Sequence, residues 1–262
     1  MLKPPLRHFQ VDKARVIVFL SKQEASRAAA QEAASLLRRS LAERGSARIV
    51  VGTGNSQEDM VRTLVEGPHL DWGRIEVFHM DEYVGMPAEH PASFRRWLKT
   101  HLVDIVHPAK VNFISGDAAD LPRECERYAE LLHAAPIDIC FIGFGENGHI
   151  AFNDPGVADF HDPLSVKRVT MDERCRQQQV GEGHFPSLEA MPREALTLTC
   201  PELFRAEHWI CTVPDQRKAE AVKNALTGPV TEACPGSLVR THPAAAVYLD
   251  VDSASLLPTQ RL

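Results

Sequence analysis

The chain has 262 residues, 44% of them hydrophobic and 24% charged, which suits one large soluble domain or two small ones. A net charge of −6 excludes the basic footprint of a nucleic-acid or anionic-membrane binder, so an anionic ligand would need a local cluster of donors. No apolar run approaches the ~20 residues of a membrane span, and residues 1–20 lack the cleavage site of a signal peptide. The six cysteines show no CxxC or other metal-ligand spacing. A reduced, cytoplasmic protein is the expectation.

Residues 1–13, with Pro4 and Pro5, read as an extended arm. Residues 14–20 (ARVIVFL) are β-branched and apolar enough for a strand. Ser21 and Glu24 then form a capping-box signature, and an alanine-rich helix runs to Arg44, where Gly45 ends it. A second strand at 47–51 enters GTGNSQEDM. Small residues opening a helix form a ready anion site, because unpaired N–H donors and the helix dipole both favour phosphate; Thr53 and Ser56 add hydroxyls. The loop is neither GxGxxG nor a Walker A, so nucleotide binding is not indicated. A plain βα turn explains the composition equally well.

A third strand at 75–80 ends in Asp81, Glu82 and Tyr83. Paired carboxylates at a strand's carboxyl end suit acid–base work; a solvated turn is the alternative. A helix from Ala92 is expected to pack Phe94, Trp97, Leu98, Leu102 and Ile105 on one face. A short strand near 110 and a helix at 121–133 lead to the apolar run 137–141, which breaks at Gly143 and Gly145 into GENGHIAFNDPG. Ligands of open α/β sheets sit outside the carboxyl ends of strands. There His149, between Asn147 and Asp154, reads as a proton-transfer group with its orienters.

Residues 157–190 are polar and poorly periodic and read as a lid, whose basic and amide side chains suit a cover over an anion. Strands at 195–199 and 208–213 follow. Then comes a helix bearing Lys218 in its first turn, where it opposes the dipole and so hints at an anion. A last strand lies within 241–250. The β-α alternation predicts a single Rossmann-like α/β domain over 1–262, with a mostly parallel open sheet and helices on both faces.

The motifs MDEYVG (80–85), GENGHIAFNDPG (145–156) and KAEAVKNALTGPVTEACPGSLVRTHP (218–243), with weaker support from GTGNS and CERY, resemble the glucosamine-6-phosphate deaminase/isomerase family, which is related to 6-phosphogluconolactonases. The resemblance covers most of the chain, from about residue 16 to 257. It implies conversion of a hexosamine 6-phosphate, gluco or galacto, to the ketohexose 6-phosphate plus ammonia, without metal or organic cofactor. By that resemblance Asp81 moves a proton between C2 and C1, and His149 opens the sugar ring with Asn147 and Asp154 as its orienters. Thr53, Gly54, Asn55, Ser56 and Lys218 would hold the phosphate. The family admits monomers and homo-oligomers.

Two departures stand out. The position of Asp154 is usually Glu, so the contact to His149 is expected to lengthen or the backbone to adjust. The lid pattern T-R-x-x-N-[SA]-R-F-F becomes ERCRQQQVGEGHF: Arg174 matches the first Arg, but Gln179 stands where the second should be. An amide cannot give a charge-assisted bidentate grip, so either Arg176 takes over, or Gln178, Gln179 and His184 read a different sugar. The alternatives are a lactonase-like hydrolase and a non-catalytic sugar-phosphate binder.

Overall fold

The computed structural model describes residues 4–67 and 69–258; residues 1–3 of the expected arm lie outside that range. Eleven strands follow in chain order: β1 (Arg7–Val11), β2 (Ala14–Phe19), β3 (Ala47–Val51), β4 (Ile75–His79), β5 (Asp81–Tyr83), β6 (Lys110–Asn112), β7 (Ile139–Ile142), β8 (Val166–Thr170), β9 (Glu194–Leu198), β10 (His208–Val213) and β11 (Ala245–Asp250). Eight of them form one sheet in the order β1-β2-β11-β10-β7-β3-β4-β6. Every pairing in it is parallel except β1 with β2.

Residues alternate between two cores because a strand's side chains point to opposite faces. Val16, Val18, Val50, Cys140 and Ile142 face one core, whereas Ile17, Phe19, Ile49, Val51 and Phe141 face the other. On the second face lies helix α1 (Lys22–Arg44), capped by the Ser21 side chain and ended by Gly45 at φ 79°. Its buried stripe is mostly alanine, which lets it lie close to helix α2 (Asn55–Glu66) and to the sheet. On the opposite face, Arg48 stacks on Phe78 and donates to Leu131 O and Leu132 O. It thereby adds a donor to carbonyls in the last turn of the helix Leu121–His133.

The strand order sets the site. From β3 the chain builds outward through β4 to β6, then returns with β7 on the other side of β3 and builds through β10 to β11. The crevice beyond the carboxyl ends of β3 and β7 is therefore a topological switch point, where open α/β sheets bind ligands.

Three expectations are corrected. Residues 7–11 are not a free arm: they pair antiparallel with β2 through a two-residue turn in which Asp12 takes φ 50°. The 157–190 segment is not irregular, since it holds β8 and the helix Glu173–Gly181. Its β8 joins β5 and β9 in a separate three-stranded antiparallel sheet. Ile105 leaves the expected face and is 56% exposed, because residues 99–103 form a π turn. The wider turn shifts the phase of the helix by about one residue.

Candidate active site

One wall of the crevice is the loop that carries β3 into α2. Gly54 precedes the helix at φ 92°, a conformation that favours glycine. It presents the first N–H groups of α2 to the cleft that Thr53, Asn55 and Ser56 also line. Gln57, buried beneath the loop, reaches Ile142 O and Thr212 O and so ties the ends of β7 and β10 to the start of α2. Opposite stands Lys218, where a short 3-10 turn runs into the helix Ala219–Thr227. It is only 5% exposed, and burial lowers its pKa. Among the described residues its ammonium makes no hydrogen bond or ion pair within 4.0 Å. A buried cation without a contact partner, facing exposed helix N–H donors, is an arrangement that an anion completes.

The carboxylate pair divides by strand alternation. Glu82 points away from the cleft and is satisfied: it accepts from Ser93 Oγ at 2.6 Å, Arg95 N at 3.0 Å and Phe94 N at 3.3 Å. It thus caps the helix that begins at Phe94. Asp81 lines the cleft although it is 6% exposed. Burial first, and the neighbouring Glu82 charge second, push its pKa well above the ordinary carboxylate value. A poorly solvated carboxylate at a cleft wall is a strong base for its type. The solvated-turn alternative therefore does not apply to either residue.

His149 sits on the loop after β7. Its backbone N–H donates to Asn147 Oδ1 at 3.0 Å, and Asn147 Nδ2 donates to Asp154 Oδ1 at 2.9 Å. Asp154 Oδ2 accepts from Asp172 N at 2.9 Å. Nδ1 of His149 lies 3.1 Å from Asp154 Oδ1, within ion-pair reach but out of line for a ring N–H hydrogen bond. The shorter Asp154 therefore keeps the contact. Burial alone would raise its pKa, but His149, Asn147 and the Asp172 N–H together hold it below the usual value. The fully buried Asp154 side chain is thus an anion that orients the imidazole.

The lid residues separate. Gln179 lines the cleft and accepts from the Tyr83 hydroxyl at 3.1 Å. Arg174 points outward, its side chain 56% exposed and 3.7 Å from Glu220. Arg176 turns away to Leu188 O and Met191 O, and His184 lies 3.5 Å from Glu182; none of the three lines the cleft. Arg176 lies on the side of the helix opposite Gln178, whereas Arg174, one turn before Gln178, carries its long side chain outward toward Glu220. Arg176→Ala is expected to leave KM within about twofold but to lower stability by ~1–3 kcal/mol, because two loop carbonyls lose their donor; a thermal melt and a substrate titration check both.

Gln178, one of the expected sugar-reading amides, lines the cleft as well; Glu182, Arg217, Phe144 and Phe152 also line it and were not singled out by sequence. Glu182 is instructive. Burial raises its pKa, but His184, Lys218 and Gln178 outweigh that and keep it ionised. Only the lid helix brings it near Lys218, so local sequence carried no signal for it.

Comparison with known proteins shows what the chain is similar to. Residues 20–248 match the family of glucosamine-6-phosphate isomerases and 6-phosphogluconolactonases. The glucosamine-6-phosphate deaminases of Bacillus thuringiensis (strain Al Hakam) and Bacillus anthracis (strain A0248) are 35% identical over 188 residues, covering 71% of this chain and 70% of theirs. A solved monomeric glucosamine-6-phosphate deaminase superposes with TM-score 0.84 at 29% identity, over 92% of this chain and 99% of its own. The 6-phosphogluconolactonase of Trypanosoma brucei shares the fold at TM-score 0.75 and 18% identity, over 98% of this chain and 100% of its own.

Proposed function

Since the chain belongs to the family of glucosamine-6-phosphate isomerases and 6-phosphogluconolactonases, we propose that it converts a hexosamine 6-phosphate and water to the ketohexose 6-phosphate and ammonia. The observation that carries this reading is Asp81, a buried, high-pKa carboxyl group in the same cleft as the anion cradle and His149. Lactone hydrolysis needs an activated water, whereas moving a proton between adjacent carbons needs a base that accepts it and returns it.

The phosphate is held by the N–H groups at the start of α2, the hydroxyls of Thr53 and Ser56, and Lys218. His149, oriented by Asp154, protonates the ring oxygen as the ring opens. Asp81 then takes the C2 proton and delivers it to C1, and water releases the amine from the resulting C2 imine. No step calls for a cofactor. Because Gln179 is uncharged and Arg176 faces away, the phosphate grip falls on Lys218 and the cradle. Gln179 is left to read a sugar hydroxyl.

Glucosamine 6-phosphate, galactosamine 6-phosphate and 6-phosphogluconolactone, offered separately, test the reading. Ammonia release from at least one amino sugar is expected; lactone turnover without ammonia from either would overturn it. Lys218→Ala is expected to raise KM ~10–100-fold with little change in kcat, corresponding to the ~1.5–3 kcal/mol of a hydrogen bond to a charged group. An unchanged KM would remove Lys218 from the phosphate site.

A further inference from the structure

Behind His149, on the side turned toward the lid helix, lies a thiol that the proposed reaction does not use. Cys175 is 1% exposed. Its Sγ, a ring nitrogen of His149 and a carboxylate oxygen of Asp154 all lie within 4.8 Å of one another. Nδ1 of His149 is buried with no in-line hydrogen-bond partner; its near neighbour is Asp154 Oδ1 at 3.1 Å, and the His149 side chain is 11% exposed. An imidazole nitrogen, a carboxylate and a thiol thus converge on one small volume.

The geometry points to a binding site for a thiophilic divalent cation, Zn2+ in the first instance, formed by His149 Nδ1, Asp154 and Cys175, whose occupation switches the enzyme off. Zinc takes nitrogen at ~2.0–2.1 Å, carboxylate oxygen at ~2.0–2.2 Å and thiolate at ~2.3 Å. Donors within 4.8 Å reach those bonds by small side-chain movements. The donor set selects the metal: sulfur and imidazole suit zinc, whereas Mg2+ and Ca2+ require oxygen. Two of the three donors are anions once the thiol ionises, so the dication is neutralised. The Zn–S bond replaces the S–H bond and the Zn–N bond displaces any proton on Nδ1, and the protons leave to solvent. Outer contacts already exist, since Asp172 N and Asn147 Nδ2 fix the Asp154 carboxylate. Three protein donors leave a fourth position for water.

Inhibition follows from where the metal binds. With Nδ1 on zinc, His149 no longer faces Asp154 as an ion-pair partner, and its proton exchange with substrate stops. The site joins a helix to a loop, so zinc would also tie the helix Glu173–Gly181 to the loop after β7.

The test needs no substrate. Reduced protein titrated with Co2+ is expected to bind one equivalent, with a near-ultraviolet thiolate-to-metal charge-transfer band that Zn2+ abolishes by displacement. Cys175→Ser and Cys175→Ala should lose that band and bind Zn2+ more than ~10-fold more weakly, while the partly exposed Cys125 and Cys234 remain as internal controls. In the parent protein, Zn2+ should inhibit whichever reaction is turned over, and a chelator should reverse it; Cys175→Ala should resist. Cobalt binding without the band, a band that survives in Cys175→Ser, or no stoichiometric binding would each overturn the site. A failure of the deaminase reading would instead appear in the ammonia assay with the cobalt spectrum intact.

Discussion

Asp81→Asn is expected to lower kcat by ~10²–10⁴-fold, the usual contribution of a positioned general base, while KM changes little and the melting temperature at neutral pH rises. The amide keeps the shape of the carboxyl group but cannot accept a proton. The stability gain follows from the sign of the pKa shift. Burial raises the folded-state pKa of Asp81 above its value of about 3.9 in the unfolded chain. Its ionised form therefore costs folding free energy: the contribution is fully favourable below the unfolded pKa and is lost as pH rises through the folded pKa. Asn carries no such cost, so the variant should match the parent in acid and exceed it at neutral pH. The same shift predicts that the acid limb of the parent's kcat/KM profile falls off above the ordinary carboxylate range. Retention of more than about a tenth of the parent kcat would remove Asp81 from the base role. Equal melting temperatures at neutral pH would show that its charge is better solvated than its 6% exposure implies.

Gly145→Ala is expected to cost ~10²-fold or more in kcat/KM although residue 145 contributes no functional group. An added Cβ would stand 2.1–2.3 Å from three atoms of the His149 ring, inside van der Waals contact. The backbone is fixed, because Gly145 N donates to His149 O at 2.9 Å and the His149 N–H is held by Asn147, so relief requires the ring to turn away from Asp154, 3.1 Å from its Nδ1. Displacing a catalytic group by about 1 Å costs about that factor, and the overpacking adds ~1–3 kcal/mol of destabilisation. Gly181→Ala is the matched control. It lies at the end of the lid helix with nothing within 4 Å of its added Cβ and should be neutral or slightly stabilising. Wild-type kcat/KM in Gly145→Ala, with the fold verified by circular dichroism, would detach the His149 ring from the rate.

Much of the architecture was legible because its signals are local. Apolar β-branched runs gave the central strands. Ser21, Gly45 and Pro122 marked helix ends that the structure places nearby. The glycine-rich breaks after β3 and β7 marked the cleft, because a backbone that must turn sharply or pass close to a neighbour leaves glycine in the sequence. The pairing of the second sheet was not legible: β5 has three residues, β8 carries Lys167 and Arg168 in a polar stretch, and their partner β9 is remote along the chain.

The candidate site divides in the same way. Motif and chemistry together pointed to Asp81, His149, Asn147, Asp154, the 53–56 loop and Lys218, and the structure brings the side chains of Asp81, His149 and Lys218 to one cleft. Sequence could not say which carboxylate of the 81–82 pair faces that cleft, because a one-residue change of register reverses the faces of a strand. Nor could it say that Arg174, Arg176 and His184 miss the cleft while Gln179 and Glu182 reach it, since that depends on how the lid helix is rotated against the second sheet. The residue types, and hence the available chemistry, were therefore determined by the sequence itself. Which groups are desolvated, which are paired, and whether Cys175 stands beside His149 were decided by tertiary packing, because burial and charge proximity are properties of residues far apart in the chain.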